Sequence, residues 1–300
     1  MKIKKYIKYV KHPYKLFKVL AFKGFFKNMD DEKYIKRMYK SRMGKDINLE
    51  NPKTFNEKIN WLKLYDRKEI YTKMVDKYEV KKYVANVIGN EYIIPTIGIY
   101  DNWNEINFKD LPSKFVIKCT HDSGGLVIVK EKNKINYKES KNKIEKSLKN
   151  NYYFLNREWP YKNVKPRILI EKYMVDESGY ELKDYKFFCF NGKVQYVKVD
   201  FDRMKEHHAN YYDRLFRLQP FGEASCPPKV NKKIEKPKDY KEMIEIAEKL
   251  AQGLKFIRVD LYNINGKIYF GELTFYPAGG FGKFIPEVWD EKMGSMIDLK

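Results

Sequence analysis

The sequence predicts an α+β fold in which helices are joined to antiparallel hairpins. Stretches with helical spacing of apolar residues alternate with short extended runs rich in Val, Ile and Phe. Two pairs of extended runs are each separated by an Asn-Gly dipeptide, which is typical of a two-residue hairpin turn. With 300 residues and 43% hydrophobic content, the chain is long enough to form more than one lobe with a buried core.

Helices are predicted in the first part of the chain. Residues 30–43 and 76–87 show helical spacing, the latter with a stripe of valines. Residues 55–62 form another predicted helix. Thr54 is a suitable N-cap for it, because a threonine hydroxyl accepts a hydrogen bond from a free N–H of the first turn.

Extended runs dominate the chain after Pro95. Strands are predicted at residues 97–100, 115–119, 126–130 and 167–174, with a polar-faced helix at 137–149. The two Asn-Gly hairpins follow, at residues 185–190 with 194–199 and at residues 256–261 with 267–273. An amphipathic helix at 239–254, begun after Pro237, joins them.

We expect four segments along the chain. Residues 1–50 are a basic helical N-terminal segment, 51–112 an N-terminal lobe, 113–175 a small lobe and 176–300 a C-terminal lobe. The cysteines Cys119, Cys189 and Cys226 lack metal-ligand spacing, which predicts free thiols in a reducing compartment. No stretch approaches the roughly 20 apolar residues of a membrane span, and no secretory signal is recognised. These features predict a cytoplasmic protein.

The net charge of +21 predicts an anionic partner. Residues 1–27 contain lysines and no acid, interleaved with aromatic and aliphatic residues, and such a segment suits the headgroup region of an anionic membrane. The alternative is an ordinary helix that packs on the core of a lysine-rich protein. We expect no nucleic acid as partner, because no zinc finger, RNP-type strand or helix-turn-helix pattern is present.

A glycine-containing loop separates two of the predicted strands. Ser123, Gly124 and Gly125 can bring backbone N–H groups close to phosphate oxygens, because glycine has no side chain to block the approach. Lys118, at the end of the preceding strand, would place an ammonium beside them. The loop is not a Walker A motif, and a plain surface hairpin with an exposed lysine remains the alternative.

Two further strands carry isolated charges. Glu171 interrupts an apolar run, and a strand end of this kind can present backbone groups to an adenine edge or simply meet solvent. Asp184 and Lys186 lie on one strand face, where they face solvent or address a ribose or phosphate.

The hairpin around Asn265-Gly266 carries the strongest signal. Closing it pairs residues whose numbers sum to about 531, which places Asp260 opposite residue 271 and beside Glu272. Two adjacent carboxylates repel each other unless a cation lies between them. Magnesium prefers oxygen ligands and completes its shell with nucleotide phosphates, so the pair predicts a magnesium site. The alternative is two charges that point apart into solvent.

The histidines are weaker candidates. Adjacent residues on a strand point to opposite faces, so His207 and His208 are poor joint ligands and zinc is disfavoured. Arg203, His207, His208 and Tyr212 are candidates for acceptor binding.

The order of these motifs resembles the ATP-grasp superfamily. The shared motifs are residues 76–81, Lys118 with its glycine loop, 171–174, 184–186, 258–260 and 272–274. Within the superfamily the chain resembles the teichuronopeptide-biosynthesis (TupA-like) ATP-grasp family over roughly residues 35–300, on the motifs at 51–58, 202–213 and 286–294. The resemblance implies the ATP-grasp fold, two α+β lobes that grip ATP, here preceded by a basic helical segment.

The resemblance also implies roles for individual residues. The α- and β-phosphates would be bound by Lys81 and Lys118 and covered by Ser123, Gly124 and Gly125. Adenine would be received by Glu171, Lys172, Tyr173 and Met174. Asp184 would lie at the ribose. Lys186 would face the γ-phosphate, Arg258 would stabilise the anionic transition state, and Asp260 and Glu272 would bind Mg²⁺. Many members carry Asn as the last metal ligand. Thr274 occupies that place here, which predicts one metal ion and leaves a second open.

The implied function is an ATP-dependent carboxylate–amine ligase of cell-surface polysaccharide (capsule, cell-envelope) biosynthesis. It would join an acidic saccharide or lipid-linked saccharide acceptor to an amine or amino acid, in the cytoplasm or in peripheral contact with the inner face of the plasma membrane. A glycosyltransferase or sugar kinase of the same pathway is one alternative, although no Asp-x-Asp motif is present. A non-catalytic polyanion-binding protein is the other.

Overall fold

Two antiparallel sheets organise the chain. The computed structural model describes residues 13–176, 179, 182–202 and 206–300. One sheet has four strands and the other five, and a two-stranded ribbon lies beside the larger one. This arrangement confirms the predicted α+β class.

Helices form the first part of the described chain. They are α1 (Pro13–Phe22), α2 (Asp31–Met43), α3 (Phe55–Tyr65), α4 (Ile70–Val75) and α5 (Glu79–Ile88). The predicted cap of α3 is confirmed: the Thr54 hydroxyl accepts from the Glu57 N–H at 3.2 Å, and the Glu57 carboxylate accepts from the Thr54 N–H at 3.0 Å. No helix in the described part of the chain is long and apolar enough to cross a membrane.

Helix α5 begins later than the predicted residue 76. The Asp76 carboxylate accepts hydrogen bonds from the backbone N–H groups of Tyr78 and Glu79, at 2.8 and 3.1 Å. Because this aspartate satisfies the first free N–H groups, it lies outside the helix and ends the preceding loop.

The four-stranded sheet, called the small sheet, forms the middle of the chain. Its strands are β1 (Thr96–Tyr100), β2 (Phe115–Cys119), β3 (Leu126–Val129) and β4 (Ile168–Lys172), in the order β1-β4-β2-β3. Helix α6 (Tyr137–Leu148) packs on one face, where Ile144 joins Phe115, Ile117 and Ile170 in a buried core. The short helix α7 (Tyr153–Asn156) follows. The other face of the sheet is left for the cleft described below.

The five-stranded sheet, called the large sheet, forms most of the second half. Its strands are β5 (Asp184–Phe190), β6 (Lys193–Phe201), β7 (His208–Asp213), β9 (Phe256–Ile264) and β10 (Lys267–Thr274), in the order β10-β9-β5-β6-β7. The ribbon pairs β8 (Gly222–Glu223) with β11 (Phe284–Ile285). Helices α8 (Tyr240–Ala251) and α9 (Val288–Ser295) complete this part.

The large sheet shares its core with the early helices. Phe55 of α3 packs edge-on against Phe256 of β9, and Val80 and Val84 of α5 belong to the same buried cluster. Helices α3 to α5 therefore lie on the large sheet, whereas β1 joins the small sheet. The division of the chain at residues 50, 112 and 175 stays a prediction.

Both predicted hairpins form. Asn191 and Gly192 have φ of 48° and 78°, and Asn265 and Gly266 have φ of 52° and 79°. Positive φ at both central residues is the type I′ turn, whose twist matches that of the flanking strands.

The register of the second hairpin differs from the prediction in one respect. Phe270 pairs with Leu261, as the predicted sum of 531 requires, but a bulge then displaces the ladder. Glu272, and not residue 271, therefore lies directly opposite Asp260. The correction brings the two carboxylates closer together than the prediction does.

The bulge requires glycine at position 271. A Cβ atom there would lie 2.9 Å from the Asp260 carbonyl oxygen and 3.1 Å from the Tyr262 ring. We expect Gly271→Ala to lower the free energy of unfolding by about 1–3 kcal/mol, because the strands must separate to admit the methyl group. Denaturant unfolding measures this change. Gly124→Ala, whose added methyl would meet an atom only at 3.7 Å, is the control and should leave the stability nearly unchanged.

Candidate active site

A cleft lies between the small sheet and the large sheet. It contains a cavity of about 60 Å³. Its lining is Lys77, Lys81, Ile93, Ile94, Lys118 and Glu171 on one side, and Tyr262, Phe270, Gly271 and Glu272 on the other. The cleft thus brings together Lys81, Lys118, Glu171 and Glu272 of the residues singled out in the sequence.

Two lysines, one on α5 and one on β2, share one carboxylate of the small sheet. The Lys81 and Lys118 Nζ atoms lie 2.5 and 2.7 Å from the two oxygens of Glu171. Glu171 is 5% exposed. Burial alone would raise the pKa of Glu171, but Lys118 and Lys81 outweigh it and hold the pKa below its usual value. The two ammonium groups are thereby fixed side by side, with one negative charge between them.

Lys77 is a site residue that sequence reasoning missed. Its ammonium donates to the Asp122 carbonyl oxygen, and its backbone N–H donates to the Thr120 carbonyl at 3.0 Å. Burial lowers the pKa of Lys77, and the nearby Glu272 opposes that effect. This lysine therefore connects the glycine loop to the large sheet. Its spacing of four residues from Lys81 is the signal that would have identified it.

The glycine loop has one packed and two exposed positions. The Gly125 N–H donates to both carboxylate oxygens of Asp122, at 3.0 and 3.2 Å. A Cβ atom on Gly125 would lie 2.5 Å from the Cys119 sulfur, so only glycine fits there. Ser123 and Gly124 are exposed, and the Ser123 hydroxyl donates to the Tyr152 oxygen at 3.2 Å. Gly125 anchors the loop while its tip stays accessible.

The predicted adenine segment lies at the end of β4. Lys172 is exposed, Tyr173 and Met174 are half-buried, and the Lys172 N–H donates to the Pro95 carbonyl at 3.0 Å. Leu126 and Ile128, which are 37% and 51% exposed, add an apolar surface beside this segment. Leu126 pairs with Lys118, so it lies on the face of the sheet that lines the cleft. Sequence reasoning missed these two residues, because an apolar strand does not show which of its faces is left uncovered.

On the large sheet, Lys186 binds three aspartates. Its Nζ atom lies 2.5 Å from Asp184, 2.5 Å from Asp260 and 3.8 Å from Asp200. Lys186 pairs with Asp260 across β5 and β9, and Asp184 pairs with Asp200 across β5 and β6, so all four share one face. Burial alone would lower the pKa of Lys186, but Asp184 and Asp260 raise it above its usual value.

Arg258 bridges the two predicted metal ligands. Its Nε and Nη2 atoms donate to Asp260 at 2.6 and 2.7 Å, and Nη2 also donates to Glu272 at 2.8 Å. The Thr274 hydroxyl accepts from Arg258 at 3.0 Å and donates to Glu272 at 3.1 Å. Thr274 is thus placed to orient the Glu272 carboxylate.

The two carboxylates differ in acidity. Burial raises the pKa of Asp260 to about 6, although Arg258 and Lys186 oppose this shift. Burial would also raise the pKa of Glu272, but Arg258, Lys186 and Lys77 lower it to about 2. The Glu272 side chain is 46% exposed, because it projects into the cavity between the sheets. Glu272 is therefore ionised at neutral pH and reachable from the cleft.

The donor set fits a hard divalent cation. Among the described residues, Lys186 contacts Asp184, Asp200 and Asp260, and Arg258 contacts Asp260 and Glu272. Lys198 and Glu223, which pair with each other at 3.0 Å, add one charge of each sign. Carboxylate oxygens are the ligands that magnesium prefers, and Asp260 and Glu272 lie opposite each other on adjacent strands.

The acceptor candidates are not all brought together. His207 Nε2 lies 3.4 Å from Asp200, which places this histidine beside the Lys186 cluster. His208 is directed to the Pro227 carbonyl at 3.0 Å, and Tyr212 stacks on Phe216 in the core. Arg203 lies outside the described residues.

Asp200, His207 and Cys226 form another group of possible metal ligands, with ligand atoms within 4.8 Å of one another. The Lys198 ammonium lies 3.6 Å from Asp200 of this group.

A comparison with protein families identifies the family of this chain. The model of the family described as TupA-like ATPgrasp matches residues 57–298. The chain belongs to this family. Membership in the TupA-like ATP-grasp family confirms the predicted ATP-grasp fold and the predicted enzyme class, the ATP-grasp carboxylate–amine ligases. No curated protein matches the sequence.

Solved structures similar to this TupA-like chain include two ligases and a synthetase. The D-alanine–D-alanine ligase from Helicobacter pylori is 17% identical with a TM-score of 0.42, and the match covers 81% of this chain and 69% of that one. The Bacillus anthracis D-alanine–D-alanine ligase complexed with ATP is 18% identical with a TM-score of 0.39, over 67% and 53% of the two chains. The ADP complex of N5-carboxyaminoimidazole ribonucleotide synthetase is 14% identical with a TM-score of 0.41, over 69% and 46%. These TM-scores are low, so the likenesses carry no inference about reaction or substrate.

The Lys186 cluster predicts a pH-dependent stability. In Lys186→Met, Asp184 and Asp260 lose their shared counter-charge, and we expect a loss of about 3–5 kcal/mol in the free energy of unfolding at pH 7. Because Lys186 opposes the raised pKa of Asp260, its removal should raise that pKa further above about 6, and the loss should shrink as the pH falls through 6, where Asp260 binds its proton in both folded chains. Denaturant unfolding across this pH range measures the effect.

The control is Lys193→Met, which removes an exposed lysine of the same sheet that pairs with Glu248 at 3.3 Å. It should change stability by at most about 0.5 kcal/mol at every pH. A loss in Lys186→Met that stays constant with pH would mean that packing, and not charge, is the role of Lys186.

Proposed function

We propose that this enzyme activates a carboxylate with ATP and joins it to an amine, with release of ADP and phosphate. The observation that carries the proposal is the charge arrangement of the cleft. Lys77, Lys81 and Lys118 line the cleft together with Glu171, whereas Asp260 and Glu272 lie opposite each other on the large-sheet side. A triphosphate with a divalent cation is complementary to both halves at once.

Lys81 of α5 and Lys118 of β2 would bind the α- and β-phosphates. Both lysines pair with Glu171, which fixes the orientation of their ammonium groups. The exposed loop tip at Ser123 and Gly124 would close over the phosphates, and Lys77 would hold the base of that loop. Adenine would lie against Leu126 and Ile128, next to the backbone of residues 172–174, with Asp184 towards the ribose.

Asp260 and Glu272 would hold Mg²⁺, with Thr274 orienting Glu272. A bound magnesium ion supplies charge neutralisation at the β- and γ-phosphates. Asp260 and Glu272 are held ready by Arg258, whose guanidinium already contacts both. Lys186 keeps Asp260 ionised and lies on the same face, where its ammonium can also face the γ-phosphate.

The proposed reaction has two steps. The acceptor carboxylate attacks the γ-phosphorus and breaks the bond to the β-phosphate oxygen, which gives an acyl phosphate and ADP. The amine then attacks the acyl carbon, expels phosphate and loses a proton, which gives the amide. Both steps bring anions together, and Arg258 and the lysines supply fixed positive charge for them.

We place this reaction in cell-surface polysaccharide biosynthesis. The family resemblance and the net charge of +21 support an acidic saccharide or lipid-linked saccharide as acceptor, with an amine or amino acid as the second substrate. His207, beside the Lys186 cluster, is the acceptor candidate best placed for contact. The expected location is the cytoplasm, at the inner face of the plasma membrane.

The experiment measures ADP release from Mg·ATP with a panel of acidic saccharides and amino acids, alongside thermal shifts with ATP, ADP and nucleotide-sugars. We expect stabilisation by ATP that depends on magnesium, and ADP release that requires both acceptor and amine. Glu272→Gln should reduce the rate about a hundredfold or more, since several kcal/mol of charge stabilisation are lost. Glu235→Gln, an exposed change outside the cleft, is the matched control.

Other outcomes separate the alternatives. Undiminished activity in Asp260→Ala/Glu272→Ala, or in Glu272→Gln should the double variant not fold, would contradict the proposal. Stabilisation by a nucleotide-sugar in preference to ATP would indicate a glycosyltransferase, and ADP release without an amine would indicate a kinase. Salt-sensitive polymer binding that survives Lys118→Ala, with no turnover, would indicate a non-catalytic polyanion-binding protein.

A further inference from the structure

A second pocket lies on the outer side of the glycine loop. Its volume is about 650 Å³, and four parts of the chain form its walls. These are the end of α1 with the turn after it (residues 21–27), the loop tip at 122–124, the C-terminal part of α6 with residues 150–151, and the segment 152–155. The pocket therefore joins the N-terminal region to the loop of the cleft, although the two are far apart in sequence.

The pocket is positively charged. Lys23, Lys27, Lys143 and Lys146 line it, and all four are exposed. Asp122 is the acid among the lining residues, and its buried carboxylate accepts hydrogen bonds from the Gly125 N–H and the Ser147 hydroxyl. Because that carboxylate already has hydrogen-bond donors inside the protein, the lysines are left facing solvent.

Phe22 lines the same pocket, and Phe25 lies in the turn that follows α1 beside it. Phe22 and Phe25 are 46% and 70% exposed. Their position is fixed, because Phe17 of α1 is buried and packs against Tyr34 of α2 with ring centroids 5.6 Å apart. The Lys18 ammonium lies 5.7 Å from the Phe22 ring centroid, so positive charge and exposed rings alternate along this edge.

We propose that this surface docks on an anionic membrane, with lipid phosphates at the pocket lysines and Phe22 and Phe25 inserted at the boundary of the acyl chains. Lysines beside exposed phenylalanines are the combination that interfacial helices use. The exposed rings favour a lipid surface over a soluble polyanion, which offers nothing for them to enter. The surface defined here includes α6, whereas the sequence indicated only residues 1–27, of which residues 1–12 lie outside the described part of the chain.

The position of the pocket has a functional consequence. Ser123 and Gly124 line it and also form the tip of the loop over the cleft. A chain docked in this way holds its active-site loop at the level of the lipid headgroups, within reach of a lipid-linked acceptor. This consequence rests on the proposed function, whereas the docking itself does not.

The experiment is sedimentation of the full chain with vesicles, without ATP or acceptor. A negative result would therefore contradict the docking proposal and would not bear on the proposed ligase reaction. We expect binding to phosphatidylcholine vesicles that contain phosphatidylglycerol, weak binding to phosphatidylcholine alone, and a loss of binding with salt. Lys143→Gln/Lys146→Gln should weaken binding about thirtyfold, at about fivefold per lysine. Lys233→Gln/Lys238→Gln removes the same charge from exposed positions outside the pocket and is the matched control.

Phe25→Ser tests the apolar part at a position where folding is unaffected, and it should weaken vesicle binding about tenfold. Equal vesicle binding by Lys143→Gln/Lys146→Gln and by Lys233→Gln/Lys238→Gln would overturn the proposal that α6 is part of the docking surface. Residues 1–27 would then bind the membrane without it. Unchanged vesicle binding in Phe25→Ser, together with displacement by polyglutamate, would mean that an acidic polymer and not a membrane occupies the surface.

Discussion

The cleft depends on one irregularity of the backbone, the bulge at Gly271. A regular ladder would pair Asp260 with residue 271 and turn Glu272 to the other face of the sheet. The bulge places Glu272 opposite Asp260, and one guanidinium nitrogen of Arg258 then contacts both carboxylates, at 2.7 and 2.8 Å. Repulsion between the two acids is thereby balanced before any ligand binds.

The same sheet face collects further charge around this pair. Alternation along β5 and β6 puts Asp184, Lys186 and Asp200 on the face of Asp260, and Lys186 binds all three aspartates. Such a cluster is costly to bury unless its charges are paired. Apolar residues at these positions would avoid that cost, and the proposed cation-binding role would account for the charges.

Three lysines lie on the small-sheet side of the cleft. Lys81 and Lys118 pair with Glu171, Lys77 lines the same cleft, and the apolar side chains of Leu126 and Ile128 lie on the face of Lys118. A nucleotide placed between the sheets would meet cations at its phosphates and hydrocarbon at its base. In the proposed function, residues on the small-sheet side would bind the phosphates and residues of the large sheet would bind the cation.

Local signals in the sequence predicted much of this arrangement. The Asn-Gly turns set both hairpins, and Thr54 with Glu57 set the start of α3, because each effect acts within a few residues. The bulge was not predicted, since it depends on contacts across two strands. Strand β7 was also missed, because its sequence His-Ala-Asn-Tyr-Tyr-Asp is buried on both faces and shows no alternation.

The most direct test of this account is electron paramagnetic resonance of Mn²⁺, a magnesium substitute, titrated into the protein with and without ADP. The account predicts a Mn²⁺ ion that is bound tightly in the presence of ADP by the wild-type chain. In Glu272→Gln, whose side chain keeps its size and loses its charge, that signal should be lost. Undiminished Mn²⁺ binding with ADP in Glu272→Gln would contradict the central claim that the carboxylate pair holds the cation.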